Sequence, residues 1–173
     1  MDNTKITLPI EELERRFKSV AGTLPILVGN EVVNFALDNF KKQGFLGASF
    51  QSWNARKNPN AWGQKPKRNG RALLVDSGRL RGSIRVLRTS WDAVVVGSDV
   101  PYAKAHNEGL RVGQIQSVKE FERKVKGKVQ TVRAFTRHIN QDIPQRQFLG
   151  DSPYLRERLQ RIIGTEILKA FRK

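Results

Sequence analysis

Leu74-Val75-Asp76-Ser77-Gly78-Arg79-Leu80-Arg81-Gly82-Ser83-Ile84 is the stretch from which the fold is read. Ser77 and Gly78 suit a tight turn, because glycine tolerates the positive φ that turns often require. The chain then changes character. Ser83 to Arg88 reads as a strand with Ile84 and Val86 pointing inward, and Ala93 to Gly97 as a second strand with Val94-Val95-Val96 as a buried run. Thr89-Ser90-Trp91 joins them, and Gly97 is expected to end the second strand through the same backbone freedom as Gly78. Tyr102 to Glu108 then looks like a short helical turn stopped by Gly109. Tyr102 and His106 are four apart, so both can face the sheet from one side of that turn.

On the N-terminal side of this block lies a segment of different composition. Gln43 to Gly70 is rich in Gly, Asn, Ser, Pro and Lys, with Phe45, Phe50, Trp53 and Trp62 interspersed. It is too long for an ordinary connection, so residues 43–72 are read as an extended basic loop. No acidic residue occurs between Asn39 and Val75, while Arg56, Lys65, Lys67, Arg68 and Arg71 accumulate there. Before the loop, two helices are expected. One runs from about Pro9 to Val20, after Thr7 as cap, and ends at Gly22. The second runs from about Leu24 to Lys42, with Thr23 as cap and Pro25 in the first turn. That second helix is apolar on two sides, Val28-Val32-Phe35-Ala36 and Ile26-Val33-Leu37-Phe40, so it needs cover on two sides. The last helix or a neighbouring subunit can supply the second cover.

On the C-terminal side, residues 111–140 form a second basic region with Lys119, Arg123, Lys124, Lys126, Lys128, Arg133 and Arg137. Val125-Lys126-Gly127-Lys128-Val129 has β-branched flanks around a glycine turn, and Gln130 to Ile139 alternates as a strand would. The region reads as a projecting β-hairpin arm. Pro144 holds Ile143 extended, and Phe148 and Leu149 are placed to dock on the core. Ser152 and Pro153 then open a final helix whose apolar face is Leu155, Leu159, Ile162, Ile163, Ile167 and Phe171.

Composition narrows the function. The chain has 173 residues with 32 Lys and Arg against 16 Asp and Glu, a net charge of +16. Such a balance attracts phosphate polymers or acidic protein surfaces. There is no cysteine, hence no disulfide, thiolate metal site or cysteine nucleophile. No apolar run of the length of a membrane span is apparent, and Met1-Asp2-Asn3-Thr4-Lys5 does not begin a secretory signal, so no membrane partner is expected. Candidate chemistry is sparse. His106 and His138 are the only histidines, and Asp76, Asp92, Asp99, Glu108 and Asp142 are scattered. Ser77-Gly78 lacks a nucleophile-elbow context, and Gly63 to Gly70 is not a phosphate-binding loop. No catalytic residue, metal site or cofactor is expected.

The ordered motifs go further than composition. They are Trp53-x-x-Arg56, Leu74 to Ile84 with Gly78, Arg79 and Leu80, Val96-Gly97-Ser98, Tyr102-Ala103-x-x-His106-Asn107-x-Gly109, and Ile143-Pro144-x-Arg146-x-Phe148-Leu149-Gly150, before a terminal amphipathic helix. In this order, over about Phe45 to Phe171, the chain resembles the phage virion-morphogenesis family, also described as Mu-like tail-completion proteins. It departs from that pattern at Asn107, where Gln is usual, at Gln145, where Ala is usual, and in the length of the basic stretch Arg111–Asn140.

The resemblance implies one domain over residues 1–173 with an α+β fold: a small antiparallel sheet packed by two or three helices, with the long loop and hairpin arm projecting. It implies a non-enzymatic virion protein at the neck or tail, made in the host bacterial cytoplasm. Copies would form a homo-oligomeric, hexameric ring between the head connector or adaptor and the tail tube or tail terminator, with non-specific contact to genomic DNA in the channel. Arg56, Lys65, Lys67, Arg68, Arg71, Arg123, Lys124, Lys126, Lys128, Arg133 and Arg137 are the expected contact residues. The alternative is a basic nucleic-acid-binding protein whose tryptophans stack on bases.

Overall fold

The computed structural model describes residues 10–55, 71–125 and 127–172. The first element is one helix, α1, over Ile10–Lys42. The expected break at Gly22 does not occur. Thr23, instead of capping a new helix, turns its hydroxyl back to the carbonyls of Ser19 and Val20 at 3.2 and 3.4 Å, a bond available to a helix-interior threonine. Packing overrides the stop signals, because the N-terminal half of α1 runs along the final helix. Arg16 Nη1 donates to Ala170 O at 3.1 Å and Arg16 Nε to Glu12 Oε1 at 2.6 Å. The start expected at Thr7 and Pro9 lies outside the described residues. The unbroken helix is long and apolar enough to cross a membrane, by length and composition. The sequence reading missed this by splitting it. Part of its apolar surface is used within the chain, as described next, while Ile10, Phe17 and Ile26 are more than half exposed.

After α1 come β1 (Gly44–Leu46) and β2 (Phe50–Ser52), a small antiparallel pair at the start of the expected loop. Then follow α2 (Arg79–Gly82), β3 (Arg85–Thr89), β4 (Val94–Gly97) and α3 (Ala103–Glu108). The arm comprises β5 (Leu110–Val118), β6 (Phe121–Val125), β7 (Lys128–Val132) and β8 (Phe135–Ile143), and α4 (Pro153–Phe171) closes the chain. The fold is α+β with small antiparallel sheets. In place of one sheet, the described residues form four separate two-stranded pairs, β1–β2, β3–β4, β5–β8 and β6–β7.

The two apolar sides of α1 face two clusters. On one side Ala36 and Phe40 pack with Trp53, Leu80, Ile84, Val100, Ala103 and Phe148, with Val33 beside them. On the other, Phe35 packs with Phe45 and Leu155, supported by Val32 and Leu159. The second cover is therefore α4, antiparallel to α1. Gly29 makes room for β3–β4: a Cβ there would stand 2.8 Å from Val86 Cγ2 and 3.2 Å from Val94 Cγ1. β4 is not a buried run. Val94 and Val96 turn inward while Val95 is 41% exposed. Gly97 also differs from expectation. Among the described residues the glycines with positive φ are Gly78, Gly109 and Gly127; Gly97 instead lies under Leu87, whose Cδ1 would be 2.9 Å from an added Cβ.

The start of α4 is built as its sequence dictates. Ser152 Oγ accepts from Leu155 N at 3.2 Å and donates to Leu46 O at 2.6 Å. One side chain thus caps the helix and ties it to β1. An ion pair between a largely buried Glu31 and a partly exposed Arg158 joins the two long helices, with Arg158 Nε 2.5 Å from Glu31 Oε1.

Candidate functional site: a motif junction and a basic arm

Several of the ordered motifs meet at one junction on the core. Trp53 is buried and its Nε1 donates to Gln147 O at 2.7 Å. Its ring meets Phe40 edge-on at 5.4 Å, and Phe40 lies 5.0 Å from Phe148. Asn39 sits beneath them, donating to Phe148 O and accepting from Leu46 N, both at 3.2 Å. Arg146 is buried, with Nε donating to Asn54 O at 3.1 Å and Nη2 to Ala55 O at 3.4 Å. Its own N–H donates to His106 O at 2.7 Å. Asn107 Oδ1 accepts from both Phe148 N and Leu149 N at 3.0 Å. The segment from Pro144 to Gly150 is thereby stitched to α1, to the chain after β2 and to α3. Gly109 lies so close to Gln145 N that a Cβ would stand 3.2 Å from it.

Tyr102 and His106 do not face the sheet. Their rings meet edge-on at 5.9 Å, and with Asp76, Ser77, Gly78 and Arg79 they line a cleft of about 140 Å³ beside Leu80. Serine, histidine and aspartate thus share one cleft, but a catalytic triad needs a carboxylate on the histidine's second nitrogen. His106 Nδ1 is buried with no hydrogen-bond partner among the described residues. Burial holds the His106 imidazole below its ordinary range, and the charge of Arg146 adds to this, which favours the neutral ring. No group of three metal-binding side chains occurs among the described residues.

The arm is the other candidate. β5 and β8 pair over their whole length, from Leu110 against Ile143 to Val118 against Phe135. Beyond them β6 and β7 continue from Phe121 against Val132 to Val125 against Lys128. The strand expected from Gln130 to Ile139 is interrupted between Val132 and Phe135, where the second pair gives way to the first. Gly127, at φ 81°, makes the tip turn. Arg123, Lys124, Lys128, Arg133 and Arg137 are all exposed. Arg137 Nε donates to Gln116 Oε1 at 2.8 Å, and Arg123 Nη2 to Gln130 Oε1 at 3.0 Å, each to the residue directly opposite.

Of the other expected contact residues, Arg71 is exposed and 3.5 Å from Asp76. Arg56, Lys65, Lys67, Arg68 and Lys126 lie outside the described residues, as does Trp62. A groove of about 510 Å³ runs between α1, α4 and the β3–β4 turn, lined by Leu24, Val28, Val94, Leu159 and Trp91, and Trp91 is 81% exposed. Sequence reasoning passed over Asn39 and Glu31, since an isolated polar residue in a helix gives no sign that it is buried.

Residues 2–168 match the model of the phage virion morphogenesis family. The chain belongs to that family. No curated protein and no solved structure matches it. Membership in the phage virion morphogenesis family makes this a virion-associated protein with a structural role in phage assembly. In this family member the motif residues Trp53, Leu80, Phe148 and Arg146 are core or buried-polar positions, whereas the basic residues of the arm stand in solvent.

Proposed function

We propose that this virion morphogenesis protein forms a closed ring, hexameric by the family resemblance, where head and tail join. The ring would bridge the head connector or adaptor to the tail tube or tail terminator. It would act by assembly and carry out no bond-making chemistry. The observation that carries the reading is the arm. Between Val118 and Phe135 it holds Lys119, Arg123, Lys124, Lys126, Lys128 and Arg133 against Glu120 and Glu122. The strands of this hairpin pack chiefly against one another. A ribbon so placed is suited to a partner outside its own domain, and its charge suits a polyanion or an acidic neighbour.

A circle of such tips would attract DNA through its phosphates without reading sequence. The alternative of a stand-alone nucleic-acid-binding protein drew on the charge and on Trp53 and Trp62 as stacking platforms, and Trp62 lies outside the described residues. Trp53 is 8% exposed and its indole N–H is taken, so it presents no face for a base.

Reversing Lys124, Lys126 and Lys128 to glutamate together tests the proposal. Loss of head–tail joining or of DNA retention in the assembled particle is expected. Normal infectious particles would refute it. Salt-sensitive DNA binding by a protein that remains monomeric would favour the alternative.

A further inference from the structure

The arm has two parts of different chemistry. The tip carries six basic residues, Lys119, Arg123, Lys124, Lys126, Lys128 and Arg133, against Glu120 and Glu122. The stalk, β5 with β8, carries only Arg111, Arg137 and Asp142 as full charges. These are neutralised or bonded inside the hairpin. Arg111 Nε lies 3.3 Å from Asp142 Oδ1, its opposite residue, and Arg137 donates to Gln116. In a chain of net charge +16, the stalk, with two arginines and one aspartate, is a place where two copies can approach with little like-charge repulsion.

The stalk also leaves its edges open. β5 and β8 are nine residues each, about 30 Å of strand at roughly 3.3 Å per residue. Among the described residues each pairs only with the other. Every second backbone N–H and C=O along both outer edges therefore lacks a ladder partner among the described residues. Exposed edges are normally blunted by lysine, proline or a bulge. β5 and β8 contain neither lysine nor proline, and their register runs without a shift. β3–β4 in the same chain shows the contrast, with a register shift between Val86 and Arg88. Alternation further places Leu110, Val112, Val118, Phe135, Ile139 and Ile143 on one face of the stalk, around Gln114 and the bonded pair Gln116 and Arg137, and a ribbon of two strands cannot cover such a face alone.

We infer that the stalk is the seam between copies of this chain, β8 of one copy pairing edge to edge with β5 of the next. This rests on the ring reading above and names the surface that closes the ring. Rotational symmetry supports the geometry. In a cyclic ring all hairpins point the same way, so β8 of one copy runs antiparallel to β5 of its neighbour, as the two strands run within one hairpin. The extended sheet has no edge once it closes, and apolar side chains gain cross-strand neighbours at each junction. A foreign acidic protein would be drawn to the strongly basic tip more than to the nearly neutral stalk.

The chain has no native cysteine, which makes the test direct. Full-length Ser117→Cys and Thr136→Cys proteins, whose side chains lie on the same face of the stalk, are prepared separately, then mixed and oxidised. Crosslinked dimers are expected from the mixture, with little from either protein alone. The paired substitutions Val112→Lys and Ile139→Lys should abolish the oligomer in sedimentation while the thermal melt of the body persists. The tip reversal of Lys124, Lys126 and Lys128 should leave it intact. An oligomer that yields no mixed crosslink and survives the stalk lysines would overturn the seam but spare the ring. A wild-type chain that stays monomeric at high concentration would overturn both.

Discussion

Asn107 Oδ1 accepts hydrogen bonds from the backbone N–H groups of Phe148 and of Leu149, each at 3.0 Å. One short side chain from α3 thereby satisfies two donors in the segment that carries the 2% exposed Phe148 into the core. Asn107→Ala removes the acceptor and leaves both donors unpaired, at a cost of about 1–3 kcal/mol. Asn107→Gln keeps the chemistry but adds a methylene where the carbonyl must reach, so an intermediate loss is expected. Urea unfolding of the three proteins checks the order; equal midpoints would show that the segment is held by apolar docking alone.

The ion pair between Arg158 and Glu31 bridges α4 and α1 at 2.5 Å. The Glu31 side chain is only 10% exposed and that of Arg158 38%, so removing the arginine strands a carboxylate in a largely buried place. Arg158→Ala should cost about 1–3 kcal/mol, less than a fully buried pair because the arginine reaches solvent. The double variant Glu31→Leu with Arg158→Leu should recover most of that loss, since no charge is then left buried. A double variant as unstable as the single would count against this account.

Two glycines of α1 should respond in opposite directions to alanine. At Gly29 the new methyl meets Val86 Cγ2 at 2.8 Å, and overpacking of this kind costs about 1–3 kcal/mol. At Gly22 nothing lies within 4 Å, so alanine should stabilise the continuous helix by up to about 1 kcal/mol. Thermal melts of both variants provide the comparison. Destabilisation by Gly22→Ala would mean that the helix does not run unbroken through this point.

His106 makes stability depend on pH. Burial, then the Arg146 charge, lower its pKa from the ordinary 6.5. The unfolded chain therefore takes up this proton at a higher pH than the folded one. The contribution is complete above about 6.5 and is lost as pH falls from there toward the folded value. In denaturant melts at pH 7.5 and 5.5, the wild type should lose more stability on acidification than His106→Gln. Identical losses would remove His106 as the source.

How much of this was legible beforehand varies by element, for physical reasons. Ser152-Pro153 announces α4, because a cap acts through a neighbour three residues away. Gly127 likewise announces the tip of the arm. Gly22, Thr23 and Pro25 announce a break that is absent, because α4 packs along both halves of α1 and outweighs local preference. The cleft between Tyr102, His106 and the Ser77–Arg79 turn was not legible, since nothing in a sequence states which turn a helix will face. The basic residues of the arm could be named from the sequence, but not their division into a charged tip and a nearly neutral stalk with matched partners.

The sequence by itself determined what is local: the charge of the chain, the cap of α4, the turn glycines Gly78, Gly109 and Gly127, and the order of motifs that marks the family. Only the tertiary structure decided what depends on residues far apart. It made one helix of two expected ones, buried Asn39, Glu31 and Arg146 with partners from other elements, and set Arg111 against Asp142 along the stalk. Local signals act through bonds within one turn of chain. A buried polar group or a strand register is chosen by neighbours that folding alone brings within reach.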